Sequence, residues 1–264
     1  MSSAVNVVWP AGISSPVLTN VMNIINVVVI TFIPIFIFAF LDKESYKGLF
    51  EKVPARSWIK YLIFIPLIWC TTTYLNSRFN ILLGEFGITM IEQLPPSKEQ
   101  GAIATGFILT CVAAPLFEEL FYRGVILSLL KGYGNGAAVS VSALLFALAH
   151  GSVTVFVLPL VFGLILGYIT LKSKSIFPAM FIHFGCNLLS WIFMTFEIGA
   201  KINIAIGLLT IIIGAGCVVW ALVKSVKNKR LIGKVMVQTW GYIKNPLWLI
   251  ILLNYIYTNI LYHG

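Results

Sequence analysis

VMNIINVVVITFIPIFIFAFL, residues 21–41, runs for twenty-one residues without a charged side chain and gives way at once to DKESYKGLFEKVPARSWIK, residues 42–60, with five Lys or Arg. That apolar length is what an α-helix needs to cross a hydrocarbon core of roughly 30 Å at about 1.5 Å per residue. The charge-dense stretch behind it is what a span leaves at a membrane surface. The alternation recurs along the chain, with further spans expected at Tyr61–Ser77, Gly101–Lys131, Ala137–His150, Val153–Leu171, Ile176–Phe196, Ile202–Val223 and Pro246–Tyr262. In lipid only helices and closed barrels satisfy their own backbone. The fold class is therefore all-α, a polytopic transmembrane helix bundle of about eight helices. No internal repeat or low-complexity linker divides residues 1–264, which read as a single membrane domain.

Composition agrees. Hydrophobic residues make up 59% of the chain, charged residues 10%, and mean hydropathy is +0.96, against about 25% charged in a soluble domain. The first twenty residues carry no charge and no basic region, so the first helix reads as its own insertion signal rather than a cleaved leader. The four cysteines fall inside apolar blocks, which argues against a disulfide framework. A net charge of +9 would point to nucleic acid in a soluble protein. Here the cations sit at helix ends, where membrane orientation and anionic lipid account for them, and no nucleic-acid partner is expected. If the basic loops at 42–60 and 224–244 are cytoplasmic, the same parity places fourteen Lys and Arg inside and three outside, leaving Arg123 within the bilayer. The expectation is a multi-pass protein of a cell membrane with both termini outside. The Ile-, Asn- and Lys-rich composition points to a bacterium.

An ionisable side chain in mid-membrane carries a penalty of about 2.5 to 3.5 kcal/mol and by default marks function. Glu118, Glu119 and Arg123 interrupt the third span in AAPLFEELFYRGVILSLL, His150 ends the fourth in LLFALAH, and His183 and Asn187 lie in the sixth in FIHFGCN. Glu119 and Arg123 are four residues apart and stack as a self-neutralising pair, a scaffold's device. Glu118 points about 100° away and is left as a desolvated carboxylate without a partner on its own helix, the first candidate for a general base. His183 and Asn187 share a face and present an imidazole and an amide, a combination that donates hydrogen bonds to a developing oxyanion. Phe146 lies one turn before His150, which can help Glu118 hold a water. Structural polar residues also cross-link membrane helices, for about 0.6 kcal/mol each, but three buried titratable groups on three helices are a costly way to obtain that. Pro115 is expected to kink the third span beside the carboxylate, and Gly163 and Gly167 to allow close helix packing.

The ordered set EExxxR (Glu118, Glu119, Arg123), FxxxH (Phe146, His150) and HxxxN (His183, Asn187) resembles the CAAX prenyl protease and bacteriocin-processing (CPBP, or Abi) family of intramembrane glutamate peptidases. The likeness covers about residues 101–190. It implies that Glu118 with His150 activates the attacking water, that His183 and Asn187 stabilise the oxyanion, and that Glu119, Arg123 and Phe146 support the site. No metal is implied. The resulting expectation is an endopeptidase acting on a hydrophobic or lipidated peptide, as in CAAX-type processing, pheromone or bacteriocin maturation, or self-immunity, with membrane lipids as its surroundings.

Other chemistries fit less well. Asp42 is the single aspartate, so a two-aspartate membrane protease is excluded, and neither HExxH nor GxSG occurs. A His₂Glu zinc site built from Glu118, His150 and His183 stays open as the metal alternative. Two non-peptidase readings also remain: a non-catalytic scaffold or bacteriocin immunity protein, and a proton-coupled transporter, although the inverted repeat usual in transporters is missing.

Overall fold

A computed structural model describes residues 15–88, 97–196 and 199–227. The chain is built from α1 (Pro16–Leu41), the short α2 (Lys43–Gly48), α3 (Arg56–Glu85), a long composite α4 (Gln100–Tyr133), α5 (Asn135–Leu148), α6 (Val157–Ser173), α7 (Phe177–Thr195) and α8 (Ala200–Lys227). Among the described residues there is no strand, only one isolated bridge between Phe50 and Ser175. Five helices, α1, α3, α4, α7 and α8, are long and apolar enough to cross a membrane, while α5 and α6 are shorter. Seven of the expected spans thus correspond to helices, and the eighth, Pro246–Tyr262, lies outside the described residues.

Local chemistry sets several boundaries. Ser15 caps α1 by accepting from the Leu18 amide, with Pro16 in the first turn where its missing N–H goes unnoticed. Lys174, with φ 53, ends α6 in the left-handed region. The third span differs from a plain α-helix. Two π-helical segments, Ile108–Ala113 and Leu120–Ile126, flank the α-helical Ala114–Glu119. Pro115 is therefore not simply a kink, because its neighbourhood is accommodated by a change of helical register. Within the first π segment the Ala114 amide donates to Leu109, and Pro115 has no amide, so neither of the residues four and five ahead donates to the Thr110 carbonyl. That carbonyl must be satisfied from another helix.

The core joins α3, α5, α6 and α7 through Tyr61, Ile65, Phe146, Phe162, Leu166 and Ile182, all buried. A second cluster, Ile35, Phe38, Leu49, Val125 and Ile176, seats α1 against α4 and the start of α7. The basic loop after α1 meets the α6–α7 connection, where the Ile176 amide donates to the Leu49 carbonyl at 2.9 Å. At the opposite end Asn20 of α1 donates to the Ala102 carbonyl of α4 at 3.1 Å, and Asn76 and Asn80 of α3 both donate to the Thr154 carbonyl. Segments given the same side by charge parity are thus in contact.

The two glycines of α6 allow the close approach expected of them. A Cβ on Gly163 would stand 3.0 Å from Cα and Cβ of Ala143 on α5 and 3.3 Å from Nη2 of Arg123; one on Gly167 would meet Val139 at 3.2 Å and Leu127 at 3.4 Å. Gly163→Val should therefore force α5 and α6 apart and lower stability by about 1 to 3 kcal/mol, read as a lower Tm in detergent. Gly207→Ala, with nothing within 4 Å, is the control expected to keep the parent Tm. Equal Tm values for both variants would reject the tight contact.

Candidate active site

The polar side chains of the third, fourth and sixth expected spans meet inside the bundle. Glu119 and Arg123 are completely buried, with Arg123 Nη1 donating to Glu119 Oε1 at 3.0 Å. The same Oε1 lies 2.9 Å from Nδ1 of His183 on α7. A carboxylate oxygen accepts, so Nδ1 carries the proton and Nε2 of His183 faces the other way. Nε2 stands 3.9 Å from Oε2 of Glu118, beyond a direct hydrogen bond but a separation that a shared water can bridge. His183 thus stands between the two adjacent carboxylates, which sequence spacing does not reveal because spacing relates residues only within one helix.

His150 follows the end of α5, where the chain turns through Gly151 at φ 64. Its Nδ1 lies 2.8 Å from the Phe146 carbonyl. A carbonyl only accepts, so in the neutral ring Nδ1 bears the hydrogen and Nε2 is left as the acceptor nitrogen. Phe146 is the hub of the cluster. Its ring lies edge-on to His150 at 4.8 Å and to His183 at 6.0 Å, and the Arg123 guanidinium sits over it at 4.5 Å. The FxxxH spacing therefore sets the orientation of the imidazole twice, through a backbone bond and through ring packing.

Asn187 donates from Nδ2 to the Thr110 carbonyl at 2.8 Å, the group that Pro115 leaves without a donor. One amide hydrogen is therefore committed to holding α7 against α4, and the second remains available to another acceptor. His150, His183 and Asn187 line a single cavity of about 70 Å³ together with Trp69, Phe146 and Phe162. Glu118 is not among the lining side chains. It is 15% exposed and borders His183, which does line the cavity. Among the described residues no three His, Cys, Asp or Glu side chains are grouped so as to hold a metal ion.

Some contributors carry no motif. Trp69 and Thr72 of α3 line the cavity, with Trp69 Nε1 donating to Ser190 Oγ at 2.8 Å, and Ser142 Oγ donates to the Tyr122 carbonyl at 2.7 Å. A tryptophan in the middle of a span was the available signal, since a buried indole N–H requires a partner.

No curated protein and no solved structure matches the chain. The bundle with its five long apolar helices is that of a membrane protein. Residues 100–189, from the start of α4 to two residues past the α7 motif, match the family described as Type II CAAX prenyl endopeptidase Rce1-like, so that over this stretch the CPBP-type resemblance carried by the three motifs is borne out.

Proposed function

We propose that the protein is an intramembrane endopeptidase that hydrolyses a hydrophobic or lipidated peptide with a water activated by Glu118 and His150. The observation that carries the reading is the convergence of His150, His183 and Asn187 on one interior cavity, with the Glu118 carboxylate 3.9 Å from His183. In this mechanism Glu118 takes a proton from water while Nε2 of His150 accepts a hydrogen bond from the same molecule, and the water oxygen adds to the scissile carbonyl carbon. The oxyanion accepts from the second Asn187 amide hydrogen and, when Nε2 of His183 carries a hydrogen, from that nitrogen as well, the ring being held at Nδ1 by Glu119. Glu118 then returns the proton to the departing amine. Glu119, Arg123 and Phe146 brace the site.

Asn187 is the informative test because it neither takes up a proton nor serves as a usual metal ligand. Asn187→Ala should lower kcat by about 10²- to 10³-fold with little change in KM, and the wild type should withstand chelators. A near-wild-type rate in Asn187→Ala, or activity lost to chelator and recovered with zinc, would overturn the assignment in favour of the metal reading. The bond to Thr110 favours a second reading, in which Asn187 is only a tie between helices within a non-catalytic scaffold or immunity protein. That reading requires Asn187→Ala to lower stability and leave any hydrolysis untouched.

The orientation that goes with this function has both termini outside. In intact cells an impermeant maleimide should label a cysteine placed at Glu99 and spare one at Lys47, both exposed positions. Labelling at Lys47 alone would invert the topology.

A further inference from the structure

A cavity of about 70 Å³ holds a few waters, at about 10 to 15 Å³ each, and no peptide. The substrate must be held beside it. Next to the cavity, between α3 and the start of α6, runs a groove of about 450 Å³, within the range of about 300 to 1,000 Å³ usual for ligand sites. Thr73 and Leu158 belong to both walls, so groove and cavity share a border.

The groove's chemistry selects the occupant. Ile81 and Leu158 give it a mainly apolar surface, and the hydroxyls of Thr73 and Ser77, four residues apart on α3, add polar groups along one face. A hydrocarbon chain has no use for such groups, whereas an extended peptide presents an amide or carbonyl to each. Asn76 and Asn80 spend their amide hydrogens on the Thr154 carbonyl, which fixes the wall. Thr71 and Thr72 return their hydroxyls to the carbonyls of Leu67 and Ile68. Thr73, at the border, engages its hydroxyl with no described residue, and neither does the exposed Ser77.

We propose that this groove is the peptide-binding subsite: it receives an extended apolar segment adjoining the scissile bond, with the Thr73 hydroxyl hydrogen-bonding the peptide backbone where groove meets cavity. The inference rests on the endopeptidase reading and adds to it the place and the kind of chain recognised. The α3 wall lies outside the family-matched residues 100–189.

Binding is separable from turnover. In Glu118→Gln protein reconstituted in nanodiscs, a fluorescein-labelled peptide ending in a farnesylated cysteine and three apolar residues is titrated by anisotropy. Gly84→Trp places a bulky ring on the groove wall at a position where a Cβ meets nothing within 4 Å, and should weaken Kd at least about 10-fold. Thr73→Val keeps the side-chain shape and should weaken it about 5-fold, the loss of one hydrogen bond. A benzoyl-phenylalanine at position 81 should cross-link to the peptide. Kd unchanged in Gly84→Trp, no binding by the Glu118→Gln parent, or capture of lipid alone at position 81 would each overturn the subsite. If Gly84→Trp weakens binding while the protein with native Glu118 leaves the bound peptide uncut, the subsite stands and the endopeptidase reading falls.

Discussion

Glu118→Gln is expected to leave a folded, inserted protein and to reduce kcat by about 10²- to 10⁴-fold, the contribution of a positioned general base. The amide preserves the shape of the side chain and removes its capacity to take a proton. Glu118 is suited to such a neutral swap because its partner His183 is at 3.9 Å and not within bonding distance, so no short hydrogen bond of the fold is lost. The measurement is hydrolysis of a quenched fluorescent farnesylated peptide by purified protein in nanodiscs, with Tm recorded in parallel. Undiminished hydrolysis would reject the glutamate mechanism. If Glu118→Gln cells also kept an immunity or scaffolding phenotype intact, the non-catalytic reading would take its place.

Arg123→Ala has the second large expected effect, on the fold itself. The guanidinium is fully buried, pairs with Glu119 and covers the Phe146 ring. Its removal leaves Glu119 buried with His183 as the remaining partner. Breaking a buried pair from one side destabilises by about 3 to 5 kcal/mol, a large share of the roughly 5 to 15 kcal/mol by which a domain is stable. Protein abundance and Tm should both fall. Neutralising both partners, as in Glu119→Gln with Arg123→Met, should recover much of the loss, because no unpaired charge remains. Equal stability of the single and double variants would show that lost packing, and not the stranded carboxylate, is responsible.

The helical architecture could be read from the sequence because water-free surroundings leave few ways to satisfy a backbone, and length and charge then locate the spans. Glu119 and Arg123 were legible for a similar reason: an i, i+4 relation belongs to one helix. What crosses between helices was not legible. The single oxygen of Glu119 shared by Arg123 and His183, the cavity wall from Trp69 and Thr72, and the tie from Asn187 to Thr110 depend on how α3, α4 and α7 pack. The two π-helical segments escaped because a register change of one residue is decided by neighbouring helices and hardly by local propensity. Pro115 signalled trouble in the right place, but its consequence, a carbonyl in search of a donor, appears only with α7 in position.

The brevity of α5 has a further consequence. Its fourteen residues extend about 21 Å at roughly 1.5 Å per residue, against a hydrocarbon thickness of roughly 30 Å. A helix that starts at one membrane surface therefore stops about 9 Å short of the other, and His150 sits just beyond its last turn. The α5–α6 connection at that end cannot lie bare in oil, since irregular backbone at such depth requires protein or water against it. Asn76 and Asn80 of α3 cover part of it through the Thr154 carbonyl, and the rest calls for solvent or a thinned bilayer. A hydrolase working among lipids would have to obtain one of its two reactants from outside the lipid, and on the proposed endopeptidase reading the missing turns of α5 are where that reactant would reach the His150 imidazole.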